Sequence, residues 1–299
     1  MRPREIADLA ARHAPGRGAP AIELLRAGLV HETFRVRRDG ARYALRVPAA
    51  EPVDLAFDRA WEARVLGQAA AAGLAPPTRY YSLEQGVLVV DWIEGRPWSV
   101  AEARLPANIS RMAATLGRLH ALPAPQPART VSPAQWIDCY SAALGIQGSV
   151  SPALRRAAAD RAAEAAGLAR GERGLCHSDL HVLNVIDRGP PPGTQPAHSR
   201  EQGSLVLLDF EYAHVSDPFW DLAGWSANND FEPELAWALA EAYRGRPPTS
   251  SERSRLDLNR WLYDYVCLLW SELYLRRDAD PEISARARLI EARLAGALG

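Results

Sequence analysis

The sequence predicts an α+β fold of two lobes, a small antiparallel β-sheet lobe with one main helix followed by a larger, mainly helical lobe. Three observations predict it. Short runs with partial apolar alternation occupy 21–48, and Asp39-Gly40 is a strong turn signal between two of them. From about residue 101 onward, apolar positions recur at helical spacing over most of the chain. Between the two regions stands EGRPWS, 94–99, whose glycine and proline read as a hinge. The expected division is therefore 1–94 and 95–299, with a cleft between the lobes as the expected place for a ligand.

Each element has a local reason. Residues 5–13 pattern as a short helix, and AIELLRAG, TFRVRRDG and ARYALRVP follow as three strands. Over 55–72 apolar and alanine positions return at helical spacing, with Gly73 as a stop and Pro76-Pro77 beyond it. Strands are expected at 78–82 and 86–92. The second lobe is read as helices over 101–121, 133–144, 151–170, 217–228, 232–244, 251–277 and 281–298. Strand pieces near Leu175, 185–187 and 205–210 interrupt them. The proline- and glycine-rich stretch 188–204 is expected to be a surface loop.

Composition narrows the class of protein. The chain has 299 residues, 47% hydrophobic and 24% charged, and a net charge of −1. That balance fits a globular protein with a substantial core. All 35 cationic residues are arginine, yet they are dispersed among 36 acids, so no basic face for nucleic acid is expected. The three cysteines are far apart and never form a CxxC pair, which argues against a disulfide framework or a zinc ribbon. Neither a secretion signal nor a membrane span of roughly 18 apolar residues is legible. A cytoplasmic protein without membrane or nucleic-acid partners is the expectation.

Chemistry concentrates in two stretches, LCHSDLHVLN (175–184) and LVLLDFEYAHVSDPFWDLA (205–223). Asp179 and Asn184 sit in a turn between strand-like pieces, and Asp209 ends an apolar run. Two carboxylates and an amide suit a phosphate-bound magnesium, which prefers hard oxygen ligands and keeps positions for water and nucleotide. One acid is then left to orient a hydroxyl. The D-x-x-x-x-N spacing followed by an acid at a strand end is that of the protein-kinase catalytic loop and its metal-binding aspartate. Taken singly, each of these residues could equally be a turn Asn or strand-end Asp capping backbone. A zinc site from Cys176, His177 and His181 is the competing reading of the first stretch. The strand-like neighbours and the lack of a second ligand pair weigh against it.

With HSDLHVLN and DFE in place of HRD and DFG, the two motifs resemble those of the aminoglycoside phosphotransferase and choline kinase superfamily, HxDxxxxN followed by an apolar strand and [IL]DxE. EYAHVSDPFWDLAGWSANNDF is most similar to its bacterial choline, ethanolamine and thiamine kinase branch. The resemblance implies a protein-kinase-like bilobal fold and ATP- and Mg²⁺-dependent phosphorylation of a small alcohol. It implies Asp179 as the residue that accepts or orients the hydroxyl, with Asn184 and Asp209 as metal ligands. His177 would brace the loop, and Asp221 would steady it from below. His120, in LHALP, matches a common family segment and is read as structural.

Nucleotide grip departs from the kinase pattern, because the chain has no lysine to place on the third strand. Arg46 stands there in YALRVP, an arginine that choline kinase relatives also commonly use. Its fixed fork can hold phosphate and carboxylate oxygens. Glu62 is its expected helix partner. The segment RAGLVHETF has only Gly28 of a glycine-rich loop, and its His31 stands where relatives often carry asparagine. Backbone groups near Asp91 and Ile93 are expected to pair with adenine. For the acceptor, Glu211, Trp225, Asn229, Asp230, Tyr263, Trp270 and Tyr274 are candidates, because a cationic alcohol is well held by acids and aromatic faces. Core packing is the alternative for the aromatics. Competing functions are an antibiotic O-phosphotransferase, a protein kinase, and a catalytically silent nucleotide-binding module.

Overall fold

The computed structural model describes residues 3–28, 30–49, 57–145, 150–169, 171–189 and 204–298. The expected loop 188–204 lies almost wholly outside these residues, as do the first two residues of the expected helix 55–72.

In chain order the elements are α1 (Pro3–His13), β1 (Ala21–Ala27), β2 (His31–Arg38), β3 (Ala41–Pro48), α2 (Arg59–Ala71), β4 (Thr78–Ser82), β5 (Val87–Asp91) and β6 (Arg96–Pro97). They continue with α3 (Val100–Ala103), α4 (Pro106–His120), α5 (Pro133–Leu144), α6 (Pro152–Ala169), β7 (Gly174–Cys176), β8 (Val185–Asp187), β9 (Leu205–Leu207) and β10 (His214–Ser216). Four helices end the chain: α7 (Phe219–Asn228), α8 (Pro233–Arg244), α9 (Ser250–Leu275) and α10 (Pro281–Gly296). Two compact units form, Met1–Pro97 with Asn184–Tyr212, and Trp98–Leu183 with Ala213–Gly299.

The first unit holds a five-stranded sheet of order β1-β2-β3-β5-β4, antiparallel throughout. Asp39 and Gly40 both have positive φ, 51° and 77°, as the tight turn of a two-residue hairpin requires. The two-residue period divides the sheet by chemistry. Phe34, Val36, Tyr43, Leu45, Val47, Val87 and Val89 share one face and pack with Ile6 and Ala10 of α1 and with Ala14 just beyond it. Arg46, out of phase with Leu45 and Val47, points away from that core and meets Glu62 of α2. A second sheet, β6-β8-β9, completes the unit. The expected hinge thus carries a short strand, with Arg96 opposite Asp187. Gly95 is required there, since its φ is 141° and a Cβ would lie 2.3 Å from the Asp187 carbonyl oxygen.

The second unit is helical, with α9 touching α5, α6, α7, α8 and α10. The single helix expected over 101–121 is two, because Pro106 has no N–H to donate and begins α4 instead. Ser99 caps α3 in a box with Glu102, and Thr249 caps α9 with Glu252. The beginning of the helix expected at 217 shifts to Phe219. Before it comes β10, which pairs antiparallel with β7. Strands of two or three residues such as β6 and β10 are too short for periodicity to reveal. No helix among the described residues is long and apolar enough to cross a membrane.

Candidate active site

In the first unit, Arg46 is the centre of a charged cluster. The residue is 7% exposed. Nη2 donates to Glu62 Oε2 at 2.8 Å and lies 2.7 Å from Oε1, while Nη1 donates to Asp209 Oδ1 at 2.9 Å. Tyr81 of β4 donates its hydroxyl to Glu62 Oε2 and lies 3.3 Å from Arg46 Nη2. Glu211 Oε2 stands farther off, 3.8 Å from Nη1. Burial opposes the guanidinium charge, but Glu62, Asp209 and Glu211 outweigh it and hold the arginine above its ordinary pKa. Burial, and after it Glu62, pushes the Tyr81 phenol upward, so this hydroxyl stays a donor.

Asp209 leaves β9 with φ 64°, a left-handed conformation that a non-glycine residue holds at some cost. The short polar side chain makes aspartate one of the few that tolerates it. Asn184 is buried and lies next to this turn, because its carbonyl accepts the Leu208 N–H at 2.8 Å where β8 pairs with β9. Both expected metal ligands therefore belong to one pair of strand ends. Their donors are oxygens only, and the cluster beside them sets a single guanidinium against three carboxylates. Such a donor set fits a hard divalent cation such as magnesium.

His31, at the start of β2, belongs to the same cluster, with Nδ1 2.7 Å from Glu211 Oε2. Burial, followed by the Arg46 charge, depresses its pKa to about 3. The ring is therefore neutral near pH 7. Sequence reasoning noted the missing asparagine at this position but gave His31 no role. Asp91 is held by Arg79, whose Nε and Nη2 donate to its two oxygens at 2.7 and 2.6 Å. The Asp91 N–H is taken by the Pro77 carbonyl and that of Trp92 by Arg42, and Ile93 follows directly beyond the sheet.

In the second unit, the loop after β7 is organised by the buried carboxylate of Asp221 on α7. Oδ2 accepts the His177 N–H at 2.8 Å, and Oδ1 accepts the Ser178 N–H at 2.7 Å. His120 Nε2 lies 2.9 Å from Oδ2 and Tyr243 Oη 2.9 Å from its other nitrogen. Burial would raise the Asp221 pKa, but the His120 hydrogen bond and the other polar partners bring it below the ordinary value. These bonds hold Ser178 at φ 70°, and the Asp179 N–H donates to His177 Nδ1 at 3.3 Å. The result turns Asp179 outward, with 30% of its side chain exposed and His181 Nε2 3.9 Å from Oδ2. A further brace was not foreseen from sequence. Asn228 Nδ2 donates to the Leu180 carbonyl at 2.9 Å and to Tyr263 Oη at 3.0 Å, and Arg286 Nη2 donates to Asn228 Oδ1 at 2.9 Å.

Among the acceptor candidates, Trp225 and Tyr263 are core side chains of the second unit, 0% and 5% exposed. Trp225 packs edge-on against Trp98, and Tyr263 against Trp220. Trp270 keeps some surface and stacks at a tilt on Tyr274, 5.4 Å between centroids. Asp230 is exposed, 3.6 Å from Arg293. Asn229 is buried and donates to the Trp225 carbonyl at 2.7 Å. Glu211 lies in the first unit, beside Arg46 and His31. His120, Cys176 and Asp221 place ligand atoms within 4.8 Å of one another. Their polar atoms already bond to one another and to backbone, and burial keeps the Cys176 thiol protonated, so this cluster acts as a brace.

Comparison with known proteins agrees with this layout. The family model for the phosphotransferase enzyme family matches residues 21–256. A choline/ethanolamine kinase family protein from Mesorhizobium loti is similar in structure, with a TM-score of 0.75, 25% identity, and coverage of 100% of this chain and 95% of that one. Choline kinase LicA from Streptococcus pneumoniae gives 0.77 at 19% identity, with 98% of each chain covered. Macrolide 2'-phosphotransferase MphH from Brachybacterium faecium gives 0.64 at 21%, with 96% and 97% covered. LicA has also been solved with AMP, and a spectinomycin phosphotransferase of the same fold with ADP and spectinomycin. No curated protein sequence matches the chain. With a family match over most of its length and a small antiparallel lobe followed by a larger helical one, this chain belongs to the phosphotransferase enzyme family and is a small-molecule kinase.

Proposed function

We propose that the chain transfers the terminal phosphoryl group of ATP to a hydroxyl of a small cationic alcohol of the choline, ethanolamine or thiamine kind. The observation that carries this reading is the Arg46 cluster. A buried guanidinium is fixed by Glu62 at 2.8 Å and shared with Asp209 at 2.9 Å, which is the ion pair and metal-binding acid that phosphoryl transfer needs. Asn184 and Asp209 would hold Mg²⁺, which would supply electrostatic neutralisation of the phosphoryl charge. Arg46 grips the nucleotide phosphates, with Glu62 keeping its fork oriented. Backbone groups about Asp91 and Ile93 serve the adenine.

Asp179 accepts the hydrogen bond of the acceptor hydroxyl and takes its proton as the oxygen attacks the phosphorus and ADP leaves. His177 and Asp221 act through the loop backbone, holding Asp179 in an outward turn. Glu211, Trp225, Asp230, Tyr263 and Trp270 remain the acceptor residues of this proposal. The burial of Trp225 and Tyr263 gives those two the task of shaping a wall, and Trp270 with Tyr274 is the aromatic pair that retains surface. The cationic acceptor is supported by the acids in this set and by the likeness to a choline/ethanolamine kinase family protein at 25% identity.

The test is Mg²⁺-dependent ADP release measured against choline, ethanolamine, thiamine, amino sugars, aminoglycosides and macrolides. Release driven by one of the first three is expected. Turnover confined to antibiotics would move the assignment to an antibiotic O-phosphotransferase. Nucleotide binding with no alcohol-dependent release across the panel would leave a silent module and overturn the proposal.

A further inference from the structure

Asp221 holds the backbone of the turn before Asp179, yet one side chain in that turn is tied to a different element. Ser178 keeps a left-handed φ of 70° although it carries a Cβ, and it is buried. Its N–H donates to Asp221 Oδ1 at 2.7 Å, and its Oγ is hydrogen-bonded to Nδ1 of His214 at 3.1 Å. His214 is fully buried as well. A polar ring in such a place costs free energy unless its nitrogens find partners.

The fold sets this histidine where the catalytic turn begins. Antiparallel pairing of β10 with β7 puts His214 opposite Cys176, two residues before Ser178, at the point where the chain leaves β7. β10 is itself tied to the segment before α5, because the Val215 N–H donates to the Arg129 carbonyl at 2.8 Å and Ser216 Oγ donates to the Val131 carbonyl at 3.0 Å. Trp136 of α5, also buried, meets the imidazole edge-on with 5.7 Å between ring centroids. Strand register and an indole thus fix the ring.

We propose that Ser178 and His214 form a positioning pair for Asp179, their side-chain bond fixing the rotation of residue 178 that the Asp221 bonds leave open. The proposal rests on the phosphotransferase reading of Asp179 and adds a second anchor to its loop. A left-handed residue with a Cβ is held against its own backbone preference, so one N–H bond alone leaves it a way to relax. Anchored at both N–H and Oγ, Ser178 cannot turn without breaking a buried hydrogen bond, and Asp179 follows it directly in the chain. Taking a proton needs the carboxylate within hydrogen-bond reach of the acceptor hydroxyl, so a small misplacement lowers the rate while nucleotide affinity is kept.

Three single variants test this. Ser178→Ala deletes the hydroxyl and little else, His214→Phe deletes the other partner while keeping a ring beside Trp136, and His214→Asn sets an amide close to the place of Nδ1. Measured below the melting transition of every variant, kcat is expected to fall about tenfold in Ser178→Ala and His214→Phe, with the KM for ATP and the affinity for ADP with Mg²⁺ within about twofold of wild type. His214→Asn should stay within about threefold of the wild-type kcat. Combining Ser178→Ala with His214→Phe should cost no more than the worse single change, because both remove the same bond. Independently of any acceptor, amide hydrogen exchange over 177–181 in the nucleotide-free protein should quicken in Ser178→Ala and His214→Phe and return towards wild type in His214→Asn. Unchanged kcat in Ser178→Ala, equal loss in His214→Phe and His214→Asn, a parallel loss of ADP affinity, or wild-type exchange in His214→Phe would each overturn the proposal. Failure of every acceptor with the wild-type protein would count against the kinase reading, while the exchange rates still decide whether the pair holds the loop.

Discussion

Arg46 carries its charge in a nearly sealed site, so its removal has two separable effects. Arg46→Ala leaves Glu62 buried without its counter-charge and is expected to destabilise the fold by about 3–5 kcal/mol. A paired Arg46→Met, Glu62→Leu variant should recover much of that loss in melting experiments, because it removes the ion pair as a unit. The same double variant should still show a raised KM for ATP, and recovery of nucleotide use would remove Arg46 from phosphate binding. Asp209 allows a cleaner experiment. Asparagine tolerates the left-handed φ of 64°, so Asp209→Asn should keep the melting temperature while lowering Mg²⁺-dependent turnover by on the order of 10²–10³-fold. Asp179→Ala should abolish turnover while leaving ADP affinity close to wild type. Full rates in either variant would contradict the assigned roles.

At the scale of elements, helix contacts transmit the position of the Asp179 loop. Gly224 of α7 lets α9 approach so closely that a Cβ there would lie 2.7 Å from Tyr263 Cε2. The Tyr263 hydroxyl shares Asn228 with the Leu180 carbonyl, so a shift of this ring reaches the residue after Asp179. Gly224→Ala is therefore expected to lose about 1–3 kcal/mol of stability and to lower kcat, read by thermal melting and steady-state kinetics. Gly67, in the interior of α2, has nothing within 4 Å of the position a Cβ would occupy. There Gly67→Ala should stabilise by about 0.5–1 kcal/mol through helix propensity. Opposite signs for the same substitution would show that packing, and not glycine content, decides the outcome. The length of most helices was legible from apolar spacing, while the capping boxes Ser99–Glu102 and Thr249–Glu252 that begin α3 and α9 emerged only with the structure. The strands β6 and β10 were not legible, because their partners lie far along the chain, and the break at Pro106 is a local proline signal that the reading of 101–121 as one helix passed over.

For the molecule as a whole, pH is the readout of its ion networks. Arg255 joins Asp217 and Glu172, Arg244 binds Glu172 with both nitrogens, and Asn259 adds a bond to Asp217. The hydrogen bond from Arg244, against the opposing effect of burial, brings Glu172 from 4.5 down to about 2. A depressed carboxylate stabilises the fold above its unfolded pKa, and that stability disappears as pH falls from about 4.5 to 2. Because a third of this side chain is exposed, solvent screening reduces the contribution to on the order of 1–2 kcal/mol. Glu172→Gln should lower the melting temperature at pH 7 and lose most of its difference from wild type near pH 2. A constant difference across that range would refute the assignment. By itself the sequence determined the family, the α+β class and the chemical alphabet of the site, since HSDLHVLN, LLDFE and the strand-borne Arg46 are local patterns whose residue types follow from phosphate and metal chemistry. Only the tertiary structure decided which of those groups share a neighbourhood. It set Glu211 beside Arg46 and His31 and enlisted His120 and Asn228 as braces for the loop, and it buried Trp225 and Tyr263 in the core. The physical reason is that burial and hydrogen bonding between residues distant along the chain depend on how faces are apposed, and no spacing within a single segment encodes that apposition.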